Sequence, residues 1–128
     1  MPIVEVSHGE IVDKWTILEI KSVRLLDAEQ LKNVKREMNA MSPSIQQFIG
    51  YILKLHKDLF ETNLKIWNLM DELYKINESY GIQYVKITIE ITRLNQKRSF
   101  IKKEIDNFCN SDFSEAKSYF ENEDQVVK

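Results

Sequence analysis

From Pro43 to Gly81 apolar residues recur at helical steps, through Ile45, Ile49, Ile52, Leu59, Ile66, Met70 and Leu73. Steps of three, four and seven place these side chains on one stripe of an α-helix. Ser42 is a good N-cap, and proline is tolerated at the first helical position, where its missing N–H costs nothing. The spacing therefore predicts one unbroken helix over roughly 43–79, about 54 Å long, ended by a turn at Gly81. With only three glycines and two prolines in 128 residues, the chain has few places to turn.

Beyond Gly81, Tyr84, Ile87, Ile91, Leu94, Ile101, Ile105 and Phe108 keep helical steps, which predicts a returning antiparallel helix over roughly 83–109. "KITIEIT", 86–92, also alternates like a strand and is rich in β-branched residues. Helix is preferred there because the only other strand-like stretch is "IVEV", and an isolated two-stranded pairing is marginal.

Ser7 and Glu10 have capping-box spacing, so a first helix is expected over roughly 8–26. Its stripe of Ile11, Trp15, Leu18, Leu25 and Leu26 is widened by Val12, Ile17, Ile20 and Val23, as in a helix that meets protein on more than one side. Asp27 and Gln30 repeat the cap before a second helix over roughly 28–41, with Ala28, Leu31, Val34, Met38 and Met41 inward. Asp112 and Glu115 would cap a short last helix near 113–121, before an acidic tail over roughly 121–128 that frays. The expected fold is all-α: an antiparallel helical bundle with a long central hairpin, forming a single domain over 1–128.

A net charge of −2 gives no electrostatic footprint for nucleic acid or an anionic membrane. Arg93, Lys97, Lys102 and Lys103 read as a solvated helix face, without interleaved aromatic residues for base stacking. No segment approaches the roughly 18 apolar residues of a membrane span, and the opening "MPIVEVSHGE" has neither a basic n-region nor an apolar h-region. Cys109 is the sole cysteine, so no intrachain disulfide forms, in keeping with a cytoplasmic setting. Two histidines and one cysteine, far apart, leave little material for a soft-metal site, and neither metal nor cofactor is expected.

Polar residues interrupt the stripes at informative places. His56 and Asn63 fall on or beside the third apolar face, Asp71 follows Met70, and Arg98 occupies a core step of the fourth helix beside Asn95. An arginine keeps its charge, so a buried one requires a carboxylate or an anionic ligand. Asp71, Asp13, Glu10 and Glu19 are the candidate partners. His56, with no second ligand or base near it in sequence, is expected to be structural.

"GEIVDKWTILEIK", 9–21, resembles the opening signature of an uncharacterised family of bacterial and phage helical proteins, a domain of unknown function occasionally found near sugar-polymer and glycosyltransferase genes. The similarity continues through Asn63, Ile66, Trp67 and Asp71, then "RLNQKR" with Asn95 and Arg98, then Lys102, Ile105 and "KSY" at 117–119, and so covers most of the chain. The family pattern has an acidic residue before Asp71 and an arginine three residues after it, whereas this chain has Met70 and Tyr74. The resemblance implies a helical fold and no established activity.

The expected function is a non-enzymatic helical assembly or interaction protein that forms a homo-oligomer, a dimer first of all, with a polar pocket between helices. The candidate seam comprises Glu10, Asp13, Lys14, Asn63, Asp71, Asn95, Arg98 and Lys102. The alternative is a binding module for a small anionic ligand or sugar nucleotide held by those residues. A magnesium-dependent all-helical nucleotide pyrophosphohydrolase is less well supported: Glu10 and Asp13 give one E-x-x-D pair, and no second pair follows. In the helical chorismate mutase pattern Arg24 and Lys35 are suitably spaced, but the downstream residues are absent around Ser44 to Phe48.

Overall fold

Ser7 opens α1, His8–Arg24, with its hydroxyl oxygen accepting from the Glu10 N–H at 3.2 Å. The reciprocal half of the expected box gives way to a tertiary contact, because the Glu10 carboxylate turns to Lys102. Asp27 caps α2, Ala28–Gln46, by accepting from the Gln30 N–H at 2.9 Å. The computed structural model describes residues 5–76 and 81–110; the expected last helix near 113–121 and the tail over 121–128 lie outside them.

The long third helix is corrected. Pro43 does not start a helix but lies inside α2, and the chain breaks later, around a short 3-10 turn at Ile49–Tyr51. α3 then runs Leu53–Lys75, 23 residues. That is about 35 Å rather than 54 Å. The reason lies in the partner: α4, Ile82–Phe108, is 27 residues long, about 40 Å, and a 54 Å helix would overhang it with Ile45, Phe48 and Ile52 uncovered. The break returns those three side chains to the core beside Val12 and Leu59. Gly50 lies in the break, which apolar spacing does not reveal because it reads alike for a continuous helix and for one that stops and resumes.

"KITIEIT" is helical, and no strand occurs among the described residues. The Thr88 and Thr92 hydroxyls donate to the carbonyls of Tyr84 and Thr88 at 2.9 and 3.0 Å, so the helix itself satisfies these polar β-branched residues. Of the three isoleucines only Ile87 is buried, while Ile91 is half-buried and Ile89 exposed, as a period of 3.6 requires.

α1 is the central element. It packs against α2 on one side and the α3–α4 hairpin on the other, whereas α2 rests on α1 and the 3-10 turn. The core joins Val12, Ile45, Phe48, Ile52, Leu59, Ile101, Ile105 and Cys109, and His8 meets the Phe48 ring edge-on at 4.7 Å. α1 approaches α4 so closely at Gly9 that a Cβ there would collide with the Lys102 carbonyl oxygen. The Gly9 N–H also donates to Asp106 Oδ1 at 2.7 Å, so a side chain from α4 caps the first turn of α1. Among the described residues, no helix is long and apolar enough to cross a membrane.

Candidate functional site

Asp13 sits on the inner face of α1, 5% exposed, where α3 and α4 converge. Arg98 donates to it twice, Nε to Oδ1 at 2.9 Å and Nη2 to Oδ2 at 2.6 Å. Asn63 Nδ2 donates to Asp13 Oδ1 at 2.9 Å and to Thr16 Oγ1 at 2.8 Å, and the Thr16 hydroxyl donates to the Asp13 carbonyl at 2.8 Å. At the outer end Lys102 Nζ lies 2.6 Å from Glu10 Oε1 and 3.8 Å from Asp13 Oδ2, and Arg98 Nη1 donates to Asn95 Oδ1 at 3.3 Å.

Burial disfavours the Asp13 carboxylate, but hydrogen bonds from Arg98 and Asn63 and the charges of Arg98 and Lys102 outweigh it, holding the carboxyl below its ordinary value. The hydrogen bond to Asp13 raises the Arg98 value; burial opposes this, and the charges of Asp13 and Glu10 add to it. Two carboxylates thus face two cations, and no buried side-chain nitrogen or oxygen among the described residues lacks a partner. The charges of the seam are matched within the protein, so it carries no spare positive charge, although Asn63 and Arg98 also border a groove.

Of the residues expected here, Glu10, Asp13, Asn63, Asn95, Arg98 and Lys102 are brought together. Lys14 is not: one step round the helix from Asp13, it faces α2 and pairs with Glu37 at 3.8 Å, where both side chains are exposed. Asp71 takes no part in the hydrogen-bonded seam and instead stands exposed at the edge of a neighbouring groove. His56 meets Glu19, Nε2 to Oε1 at 2.9 Å, a partner 37 residues away that spacing within one helix could not reveal. Sequence reasoning also missed Thr16, Gly9 and Asp106. Thr16 lies one turn beyond Asp13, a signal that was available; the Gly9 to Asp106 contact left none.

The Glu10 and Asp13 pair is engaged by Lys102 and Arg98, so it presents no free pair of oxygen ligands. No group of three or more His, Cys, Asp or Glu among the described residues is placed to hold a metal ion. Two concavities border the seam. One, about 460 Å³, runs between α1 and α2 past Ile11, Ile17, Met41 and Glu37. The other, about 270 Å³, lies between α1, α3 and α4 and includes Asn63, Trp67, Asp71 and Arg98.

No family model, curated protein or solved structure matches the chain.

Proposed function

We propose that this chain is a non-enzymatic helical interaction protein that self-associates through the outward face of α4. One observation carries the reading: α4 is apolar on two opposite sides. Ile87, Leu94, Ile101 and Ile105 point into the bundle, while Ile82, Val85, Ile89 and Phe100 are 74%, 49%, 52% and 63% exposed. At 100° per residue those four outer residues fall within about 60° of one another, well round the helix from the buried set.

The two ends of the outer stripe can meet across a two-fold axis. A two-fold axis beside Ile91 would set Ile82 against the partner's Phe100, Val85 against the partner's Lys97 and Ile89 against the partner's Arg93, which is the isologous pairing of a C2 dimer. Exposed apolar rows of this kind mark contact sites more often than isolated surface hydrophobes do. A bacterial or phage origin, the helical family suggested by "GEIVDKWTILEIK" and a cytoplasmic setting belong to the same proposal.

Sedimentation analysis over a wide concentration range tests it. The wild-type chain is expected to gain mass with concentration, and the double variant Val85→Glu, Ile89→Glu to stay monomeric with unchanged helical circular dichroism. A wild type that stays monomeric throughout would overturn the reading.

A further inference from the structure

The groove between α1, α3 and α4 has a donor at one end and a carboxylate at the other. Its walls are largely apolar, with Ile20, Trp67 and Met70 among them. Arg98 lines it and binds Asp13 through Nε and Nη2, the long edge of the guanidinium, while Nη1 reaches Asn95. A guanidinium carries five donor hydrogens. After these three bonds one donor remains on each terminal nitrogen, and no described residue takes them. The remaining Nη2 hydrogen points off the end of the guanidinium, away from Asp13, where a second carboxylate can accept it.

Asp71 stands on α3 two turns beyond Asn63, about 12 Å along the helix axis. It is exposed, and no described residue hydrogen-bonds or ion-pairs with it. Trp67 precedes it by four residues and Tyr74 follows by three, so two aromatic side chains flank the carboxylate on one helix face. Aromatic faces beside a carboxylate are the surroundings that attract an organic ammonium.

Charge balance selects the ligand. Arg98 is already matched by Asp13, so a simple anion would add to the charge of Asp71, which no described residue matches, and a simple cation would leave the donor edge of Arg98 unused. We infer that this groove binds a slim zwitterion, an ω-amino carboxylate, with its carboxylate on the outer edge of Arg98, its chain along Trp67, and its ammonium beside Asp71 and Tyr74. The inference is independent of self-association through α4.

The test is a titration of the full chain with ω-aminooctanoate, octanoate and octylamine in turn, followed by the Trp67 indole N–H in heteronuclear NMR. It is run in wild type and in the Val85→Glu, Ile89→Glu background, so that failure of the dimer and failure of the site are separately visible. ω-Aminooctanoate should give a saturable shift and bind at least about tenfold more tightly than either singly charged probe, a gap of about 1.4 kcal/mol. Asp71→Asn should reduce its affinity to that of octanoate while leaving the melting temperature in place. Equal binding of all three probes, no saturable shift, or full affinity in Asp71→Asn would overturn the inference.

Discussion

Arg98 clasps Asp13 across 85 residues of sequence, with Nε 2.9 Å from Oδ1 and Nη2 2.6 Å from Oδ2. The planar fork fits both carboxylate oxygens at once, so the pair fixes the register of α1 on α4 as well as matching charge. Arg98 is 29% exposed at its side chain and Asp13 only 6%, so desolvation falls mainly on the acid.

Removing the arginine strands that acid. Arg98→Met is expected to lower the unfolding free energy by about 3 kcal/mol in urea, because a buried carboxylate then loses its main partner. The double variant Arg98→Met, Asp13→Leu should recover part of the loss. A double variant as unstable as the sum of the two single changes would show that the pair does not act as a unit.

Glycine positions separate contact from conformation. Gly9→Ala places a Cβ against the backbone carbonyl of Lys102 and 3.0 Å from Asp106 Oδ1, so α1 must shift; a loss of about 1–3 kcal/mol is expected. Gly50→Ala meets nothing within 4 Å, and no glycine among the described residues has positive φ. It should be neutral or stabilising by about 0.5 kcal/mol, through a less flexible unfolded chain. Paired thermal melts check both.

Pro43→Ala tests where α2 ends. At a first helical position proline is welcome and its loss would bring no gain; inside a helix it removes a hydrogen bond and crowds the preceding turn. Since α2 runs through Pro43, the alanine variant should gain about 1 kcal/mol or more and show higher helical ellipticity. A fall in stability would place the helix boundary back at Ser42.

The two shifted acids act at opposite ends of the pH scale. Asp13 titrates lower in the folded chain than its unfolded value of about 3.9, so its contribution is present above that value and is lost as pH falls through the folded one. Asp13→Asn should flatten this acid limb. Burial, helped by the charge of Asp106, raises the Cys109 thiol from 9.0 to about 11. The unfolded chain then releases that proton first, so stability falls as pH rises from 9.0 towards about 11, by at most about 1.4 kcal/mol per pH unit. Urea midpoints of Cys109→Ala beside wild type should differ in slope across that range.

Local pattern determined much of this molecule. Steps of three and four gave the helical segments, and Ser7 and Asp27 gave two starts, because caps and periodicity act within a few residues. Gly81, expected to close the third helix with a left-handed turn, instead caps the start of α4 at φ −78°, after α3 has ended at Lys75. Arg98 could be recognised as needing a partner, since it interrupts an apolar stripe and cannot lose its charge. Tertiary structure decided which of the four candidate acids answers it, turned Lys14 away to Glu37, and broke the third helix where α4 could no longer cover it. Spacing within one helix fixes which side a residue faces. What waits on that side depends on how the other helices pack, and contacts such as Gly9 with Asp106 arise only when segments 97 residues apart are brought together.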